Sequence, residues 1–240
     1  MIKKYLNIST VRQFTTTILR ANKNRRRQHV NPFSGLLATL KPNPDLINWN
    51  ATSKINPKQS FHLDLGSGAG HYLATLATTN PDTNYIGVEI IEHLVTNANA
   101  KHTDLHNYSM VWANLLHPET ISELLSSMPN GEPSSISILH PDPNFKKKHK
   151  KRDLVTNALL NTLSLELESG TLIYVQTDVE ELFEEMILKF TEHYDFEEVE
   201  IENREEPLLG VATDREAAVL KDGGEVYKKV FRKMHILQHS

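Results

Sequence analysis

Short apolar runs alternate with stretches of helical periodicity between residues 60 and 195. Each apolar run predicts a strand, and each stretch with apolar residues every three or four positions predicts an amphipathic helix. The predicted strands are 61–65, 84–90, 109–113, 134–140 and one within 169–178, and the predicted helices are 71–79, 91–102, 118–128, 153–167 and 179–194. Such regular alternation predicts a parallel sheet covered by helices on both faces.

The remaining segments complete the predicted organisation of the chain. Residues 196–202 and 225–236 can both form strands, and we expect them to close one edge of the sheet as a hairpin-like pair. The fold class is therefore α/β, a doubly wound and mostly parallel sheet of seven strands. We divide the chain into a basic N-terminal arm (1–44), a linker rich in Pro, Asn and Ser (45–60) and one domain (61–240).

The composition narrows the class of protein. With 39% hydrophobic and 23% charged residues among 240, the chain is typical of a soluble globular protein and unlike a disordered or membrane protein. It has no cysteine, which excludes disulfides, thiol nucleophiles, iron–sulfur clusters and Cys-based zinc sites, and no metal site is expected. No apolar run approaches the roughly 20 residues that span a bilayer.

The charge is distributed unevenly. The first 44 residues hold nine Lys and Arg and no acid, whereas all 30 acidic residues follow, together with the other 17 basic ones. A basic arm on an acidic body suggests a polyanionic partner that is bound through local patches. Two other interpretations stay open: a solvated tail, or an organellar targeting peptide without a clear cleavage signal.

A glycine-rich turn, 64–70 (DLGSGAG), lies between the first strand and the first helix. In doubly wound folds this loop lies at the carboxyl ends of the strands, where nucleotide-like ligands bind. The spacing is GxGxG, and Asp64 precedes Gly66 by two residues. A pyrophosphate would be repelled by that acid, whereas a cofactor with an ammonium group would be attracted. The alternative is a turn that glycine serves for packing alone.

Two polar residues end the next two strands. Glu89 follows Gly66 by 23 residues, where a carboxylate can accept hydrogen bonds from both ribose hydroxyls of a nucleoside. Asn114 lies where an adenine amino group could be recognised. Together with Asp64 they indicate S-adenosylmethionine as the cofactor. A strand-end surface carboxylate and a turn-forming Asn are the alternatives.

After the fourth strand comes His140-Pro141-Asp142-Pro143, in which two prolines restrict the backbone around one aspartate. This places Asp142 rigidly on the ligand-facing rim. Lys146–Arg152 then holds six cationic residues and one His, a pattern typical of a nucleic-acid phosphate contact. A solvated basic helix start is the alternative.

Two further segments are weaker candidates for substrate recognition. One follows the fifth predicted strand, and the other precedes the last predicted strand. Asp178 and the loop 213–216 (TDRE) carry hydroxyls and carboxylates that suit recognition of a base edge. Acidic and hydroxyl-bearing loops more often form turns and caps.

The whole set of motifs resembles the tRNA (guanine-N7-)-methyltransferase family over about residues 25 to 234. The matching segments are RRRQHVNPFS (25–34), LDLGSGAG (63–70), IGVE (86–89), AN (113–114), HPDPNFKKKHKKR (140–152), QTDVEE (176–181), ATDRE (212–216) and VYKKVFRK (226–233). The HPDPNFKKKHKKR segment is the specific one, since many methyltransferases share the glycine loop. His140 and Asn144 depart from the residues usual in the family, and VNPFS resembles the cyanobacterial, plastid and eukaryotic members.

The resemblance implies a class I, Rossmann-like methyltransferase that modifies N7 of guanine 46 in the tRNA variable loop, forming 7-methylguanosine. It implies Asp142 as the catalytic-site acid. The implied cofactor residues are Asp64, Gly66, Glu89, Ile90, Asn114 and Leu115; the implied substrate residues are Lys146, Asp178, Thr213 and Glu216; and the expected tRNA phosphate contacts are Lys147, Lys148, Lys150, Lys151 and Arg152.

Partners and location stay open at this point. Eukaryotic relatives work with a WD-repeat subunit, whereas bacterial-type relatives work alone, as a monomer or homodimer. We expect a cytoplasmic enzyme, or one in an organellar stroma or matrix if the N-terminus is a targeting peptide. The alternative functions are a nicotinamide-dependent oxidoreductase, a tRNA-binding module without turnover and a messenger-cap methyltransferase.

Overall fold

The computed structural model describes residues 30–42, 60–127, 133–144, 147–200 and 210–235, with the backbone alone at 60, 147 and 148. The arm up to residue 29, the linker from 45 to 59 and Lys146 lie outside the described residues. The division of the chain into arm, linker and domain therefore stays a prediction.

Within the described residues, seven strands form one sheet. They are β1 Ser60–Leu65, β2 Thr83–Glu89, β3 Tyr108–Trp112, β4 Ser135–Leu139, β5 Leu172–Thr177, β6 Phe196–Val199 and β7 Tyr227–Lys233. The α-helices of this part of the chain are α1 His71–Thr79, α2 Glu92–Lys101, α3 Thr120–Ser126, α4 Asn157–Glu166, α5 Glu180–Glu192 and α6 Asp214–Lys221. Two 3₁₀ helices span Gly35–Thr39 and Lys147–Arg152.

The strand order is β3-β2-β1-β4-β5-β7-β6. The first five strands are parallel, whereas β7 is antiparallel to β5 and β6 is antiparallel to β7. This confirms the predicted doubly wound sheet and the antiparallel pair at its edge. The chain moves outward from β1 to β3 and then crosses to β4, so the carboxyl ends of β1 and β4 lie at the topological switch point, where such folds bind ligands.

Helices cover both faces of the sheet, and each face has its own apolar cluster. On one face α3, α4 and α5 contribute Leu124, Leu160 and Phe190. On the other face α1 and α2 contribute Leu76 and Val95. Alternation along each strand sends successive side chains to opposite clusters. None of the helices that the structure describes is long and apolar enough to cross a membrane.

Two helix starts differ most from the sequence prediction. The helix predicted from residue 153 begins at Asn157, because the Thr156 side chain caps it by accepting a hydrogen bond from the Leu159 N–H at 3.1 Å. The segment 213–216, predicted as a loop, is the cap and first turn of α6. There the Thr213 hydroxyl accepts the Glu216 N–H at 3.0 Å.

Gly70 offers a test of how tightly the glycine loop is packed. Its φ is +70°, and a Cβ placed there would lie 2.1 Å from the Tyr108 hydroxyl oxygen. Gly170 is the matched control, since its φ is +96° but its Cβ would meet open space. We expect Gly170→Ala to lower the free energy of unfolding by about 1–2 kcal/mol through backbone strain.

Gly70→Ala should lower the same free energy by about 1–3 kcal/mol more, because overpacking adds to the strain. Urea unfolding of both variants measures the difference. Equal losses would show that the contact with Tyr108 yields without cost.

Candidate active site

The polar residues singled out in the sequence converge at the carboxyl ends of four neighbouring strands. Asp64 lies near the end of β1, Glu89 ends β2, His140 follows β4 and Asp178 follows β5. Since these strands are parallel, their carboxyl ends share one edge of the sheet. The candidate site is built on this edge.

The glycine loop after β1 is fixed to the end of β2. The backbone N–H groups of Gly66 and Ser67 both donate to the Val88 carbonyl, at 2.9 and 3.0 Å. Gly66 and Gly68 have φ values of +90° and +57°, which side chains rarely allow. The glycines are thus required for this turn, and the interpretation of the loop as a backbone cradle has a geometric basis.

Glu89 joins two loops of the site. One carboxylate oxygen accepts the Gly68 N–H at 2.9 Å, and the other accepts the Ile91 N–H at 3.0 Å. The side chain is buried, and burial raises the pKa of its carboxyl, while the two backbone donors act in the opposite direction.

Asp64 is 4% exposed, and one of its carboxylate oxygens accepts a hydrogen bond from the Ser137 hydroxyl on β4. Burial raises the pKa of its carboxyl to about 6, even though the Ser137 hydroxyl stabilises the ionised form. Two buried acids therefore face the glycine loop from neighbouring strands.

Asn114 is hydrogen-bonded within the protein. Its amide nitrogen donates to the carbonyls of Pro32 and Leu37, at 3.0 and 2.8 Å, and its oxygen accepts the Leu116 N–H. The side chain thus fastens the N-terminal segment, which we define as residues 31–42. Recognition of adenine by Asn114 stays a prediction, and it would have to use the remaining lone pair of the amide oxygen.

The neighbouring backbone positions predicted to hold the cofactor are only partly available. The Ile90 carbonyl accepts the indole N–H of Trp112 at 2.9 Å. Leu115 is partly buried against the apolar cluster beneath α3 and α4. Their cofactor contacts stay predictions.

Asp142 lies on the exposed rim after β4. It is close enough to Glu89 for its charge to raise the pKa of the Glu89 carboxyl, although less than burial does. His140, two residues before Asp142, has a φ of +49°, which is unusual for a residue other than glycine. Its N–H donates to the Gln176 carbonyl at 2.6 Å, which holds the turn that presents Asp142.

Asp178 is paired inside the protein. Its side chain is 8% exposed and accepts hydrogen bonds from the Arg215 guanidinium, at 3.1 Å from Nε to each carboxylate oxygen, and from Nδ1 of His140 at 3.0 Å. Burial opposes ionisation, but Arg215 and His140 prevail and lower the pKa of the Asp178 carboxyl to about 2. This acid is ionised at any physiological pH.

The start of α6 is tied to β5, β7 and α1. Glu216 accepts a hydrogen bond from Gln176 at 3.1 Å and forms an ion pair with Lys228. Asp214 contacts Nδ1 of His71 at 2.8 Å. The Thr213 and Glu216 side chains are therefore engaged within the protein, and their predicted contact with substrate stays a prediction.

Comparisons with known proteins agree with this geometry. Residues 58–229 match a family model described as "Putative methyltransferase". The tRNA (guanine-N(7)-)-methyltransferase of Prochlorococcus marinus subsp. pastoris is 35% identical, over 87% of this chain and 100% of the relative. That of Synechococcus elongatus is 36% identical, over 86% of this chain and 95% of the relative. The chain belongs to the tRNA (guanine-N7-)-methyltransferase family.

Solved structures support the fold alone. The aminoglycoside resistance methyltransferase NpmB1 superposes with a TM-score of 0.51 at 18% identity, covering 79% of this chain and 91% of that one. The 16S rRNA methyltransferase KamB gives a TM-score of 0.52 at 15% identity, covering 87% of this chain and 97% of that one. The class I methyltransferase fold is thereby confirmed.

Family membership makes the chain an enzyme whose methyl donor is S-adenosylmethionine. The site suits this cofactor, because buried carboxylates match an ammonium group and a diol. We predict that Asp64 binds the ammonium group and Glu89 the ribose diol, beside the glycine loop. These individual assignments stay predictions.

Arg215 and Ser137 were not singled out from the sequence. Arg215 lies within the recognised segment 213–216, but its partner Asp178 is 37 residues away. For Ser137 a signal existed, since polar residues alternate with isoleucine along a strand that is otherwise buried.

Asn114→Ala tests whether this residue holds the N-terminal segment. Removing the amide should free the carbonyls of Pro32 and Leu37 and speed hydrogen exchange of residues 31–40. A loss of about 2–3 kcal/mol of local protection is expected for two hydrogen bonds. Exchange measured by mass spectrometry reports this.

The matched control is Asn99→Ala, because the Asn99 side chain also makes two hydrogen bonds with the backbone, but at Met110 on β3. If exchange of residues 31–40 is the same in both variants, Asn114 does not fasten this segment.

Proposed function

We propose that this protein transfers the methyl group of S-adenosylmethionine to N7 of guanine 46 in the variable loop of tRNA. One observation carries the proposal. The sheet edge that holds the two buried acids Asp64 and Glu89 also presents the exposed acid Asp142, and a basic 3₁₀ helix follows it directly. The names of the relatives support tRNA as the substrate and guanine N7 as the methyl acceptor.

The chemistry at N7 requires little proton transfer. Guanine N7 carries an in-plane lone pair and no proton, so its attack on a methyl group needs no general base. The purine gains positive charge as the sulfonium loses it. Asp142 then acts by positioning the base and by stabilising the developing charge, as preorganised electrostatic groups do.

Asp178 supports discrimination of guanine from adenine. A guanine edge offers two adjacent donors, N1–H and the N2 amino group, which match the two oxygens of one carboxylate. Arg215 likewise offers two adjacent donors to Asp178 in this structure, Nε to both carboxylate oxygens and Nη2 to one of them. Guanine would therefore replace Arg215 donor for donor. Adenine has an acceptor at N1 and could not.

The basic 3₁₀ helix, residues 147–152, supports contact with tRNA phosphates. Lys151 lies over the ring of Phe33 with its ammonium 5.3 Å from the ring centroid. Lys150 is paired with Glu185 and lies 3.8 Å from Asp153. We therefore assign phosphate contacts to Lys147, Lys148, Lys151 and Arg152 and a smaller share to Lys150, and Lys146 joins the substrate side.

The relatives also bear on the partner. Both are bacterial and give no support to the WD-repeat subunit that the resemblance to eukaryotic members raised. We propose that the protein acts on tRNA without that subunit, in the cytoplasm.

The direct test is incubation of the protein with S-adenosylmethionine and bulk tRNA, followed by mass analysis of the nucleosides. 7-Methylguanosine is expected. A transcript with adenosine at position 46 is the control for the site and should stay unmodified. Binding of tRNA without any methylated nucleoside would instead indicate a tRNA-binding module.

Asp142→Asn should leave both ligands bound but slow methyl transfer by about 10²–10³-fold, because the lost charge matters most as the purine becomes cationic. Single-turnover transfer to tRNA measures the rate. Asp82→Asn is the matched control, since Asp82 is also exposed but precedes β2 at the opposite edge of the sheet. A full rate in the Asp142 variant would remove this residue from the mechanism.

Replacing Lys147, Lys148 and Lys151 by Gln should weaken tRNA binding and flatten its dependence on salt. The slope should fall by about 0.7–0.9 for each phosphate contact that is lost. Lys150→Gln is the control and should change the slope less, because its ammonium is already paired with Glu185. Filter binding across a salt series reports the slopes. An unchanged slope in the triple variant would mean that the helix is merely a solvated surface.

A further inference from the structure

Four buried polar residues form a ladder on one face of the sheet, on strands β1 and β4. His62 and Asp64 lie two residues apart on β1, and Ser135 and Ser137 lie two residues apart on β4. The strands pair so that His62 is opposite Ser135 and Asp64 is opposite Ser137. All four side chains are buried, with Ser137 fully so. Polar groups in such a place require partners.

The hydrogen bonds within this ladder have one consistent direction. Ser137 gives its only hydroxyl proton to the Asp64 carboxylate, so its oxygen must accept from His62 Nε2, at 2.9 Å. His62 Nδ1 then carries no proton and accepts the hydroxyl of Ser135 at 2.8 Å. This tautomer is neutral, in agreement with burial, which lowers the pKa of His62 to about 3. Every donor in the ladder therefore points toward Asp64.

We propose that Ser137 and His62 are positioning residues for the cofactor, which hold the Asp64 carboxylate, oriented and ionised, for the ammonium group of S-adenosylmethionine. The inference rests on the role proposed above for Asp64. Neither residue belongs to the glycine loop or to the rim, and both act through Asp64. Ser137 is the direct partner, and His62 keeps the Ser137 hydroxyl turned toward the carboxylate.

The charge state of Asp64 gives the ladder a measurable effect. Burial of Asp64 favours the neutral acid, and the charge of Glu89 on β2 does so to a lesser extent, whereas the Ser137 hydroxyl and, less strongly, the Ser67 hydroxyl favour the carboxylate. Among the described residues, the charge of Asp64 also acts on the phenols of Tyr72 of α1 and Tyr108 of β3. Burial raises the pKa of both phenols, so they stay neutral between pH 5 and 8. Loss of the Ser137 hydroxyl should thus keep Asp64 protonated to a higher pH.

Two ligands distinguish a weaker attraction of the ammonium group by Asp64 from general damage to the cofactor site. S-Adenosylhomocysteine carries the amino-acid end with its ammonium group, whereas 5′-methylthioadenosine shares the nucleoside and the thioether but lacks that end. The ratio of their affinities isolates recognition of the amino-acid end. It also cancels changes at the ribose, including the titration of Glu89. In the unmodified protein this ratio should rise with pH around pH 6 and level off about one pH unit higher, because Asp64 must lose its proton to attract the ammonium.

The test is calorimetry with both ligands between pH 5 and 8. Ser137→Ala should lower the affinity ratio at pH 7 about tenfold, the size of one charge-assisted hydrogen bond, and should move its rise to higher pH. His62→Phe should change the affinity ratio and the pH of its rise in the same directions, but by less. The affinity for 5′-methylthioadenosine should stay unchanged in both variants.

Ser135→Ala is the matched control. It also removes one hydroxyl from β4 and leaves only the Nδ1 of His62 without its partner, but it keeps the bonds from His62 to Ser137 and from Ser137 to Asp64. Its affinity ratio should stay within about twofold of the unmodified protein. If Ser137→Ala does not fold, Ser137→Cys keeps a similar volume with a weak donor and should give the same shift at reduced size.

Equal losses of both ligands in the Ser135 and Ser137 variants, or an unchanged ratio in the Ser137 variant, would overturn the proposal. The tRNA assay on the unmodified protein is independent of this result. An enzyme with the expected affinity ratios that methylated no tRNA would contradict the proposed function and leave the role of the ladder intact.

Discussion

The carboxylate of Glu89 holds together the two loops on which the cofactor end of the site depends. Its oxygens accept the backbone N–H groups of Gly68 and Ile91, which belong to loops that follow different strands. A carboxylate with two charge-assisted backbone bonds can stay ionised despite burial, and it fixes both loops before any ligand arrives. Asp64 lies on the adjacent strand under the same constraint: burial raises the pKa of its carboxyl, and the hydrogen bond from the Ser137 hydroxyl lowers it.

Burial separates the polar residues of the site into two kinds. Those that are buried have partners within the protein and build the site, such as Asn114 on the N-terminal segment and Glu216 between Gln176 and Lys228. Asp142 is exposed on the rim, where a large substrate can reach it. This division follows from the cost of burying an unpartnered polar group.

The acids Asp64 and Glu89 could be placed from sequence, because parallel strands bring their carboxyl ends to one edge and the glycine spacing marks the first turn. The start of α6 could have been placed too, since Thr213 followed three residues later by Glu216 is a helix-capping pattern. The partners of Asn114 could not be predicted, because they lie about 80 residues earlier in a segment without periodicity. Hydrophobic patterns fix which face of an element is buried, but not which distant polar groups meet there.

In the proposed reaction the lone pair of guanine N7 attacks the methyl group, while the protein positions the base and stabilises its developing charge. The most direct measurement uses tRNA with 7-deazaguanine at the target, in which a C–H replaces that lone pair. This tRNA should bind nearly as well as the normal one, since phosphate contacts dominate affinity, but it should accept no methyl group. Methyl transfer to the deaza position, or to another atom of that base, would contradict it.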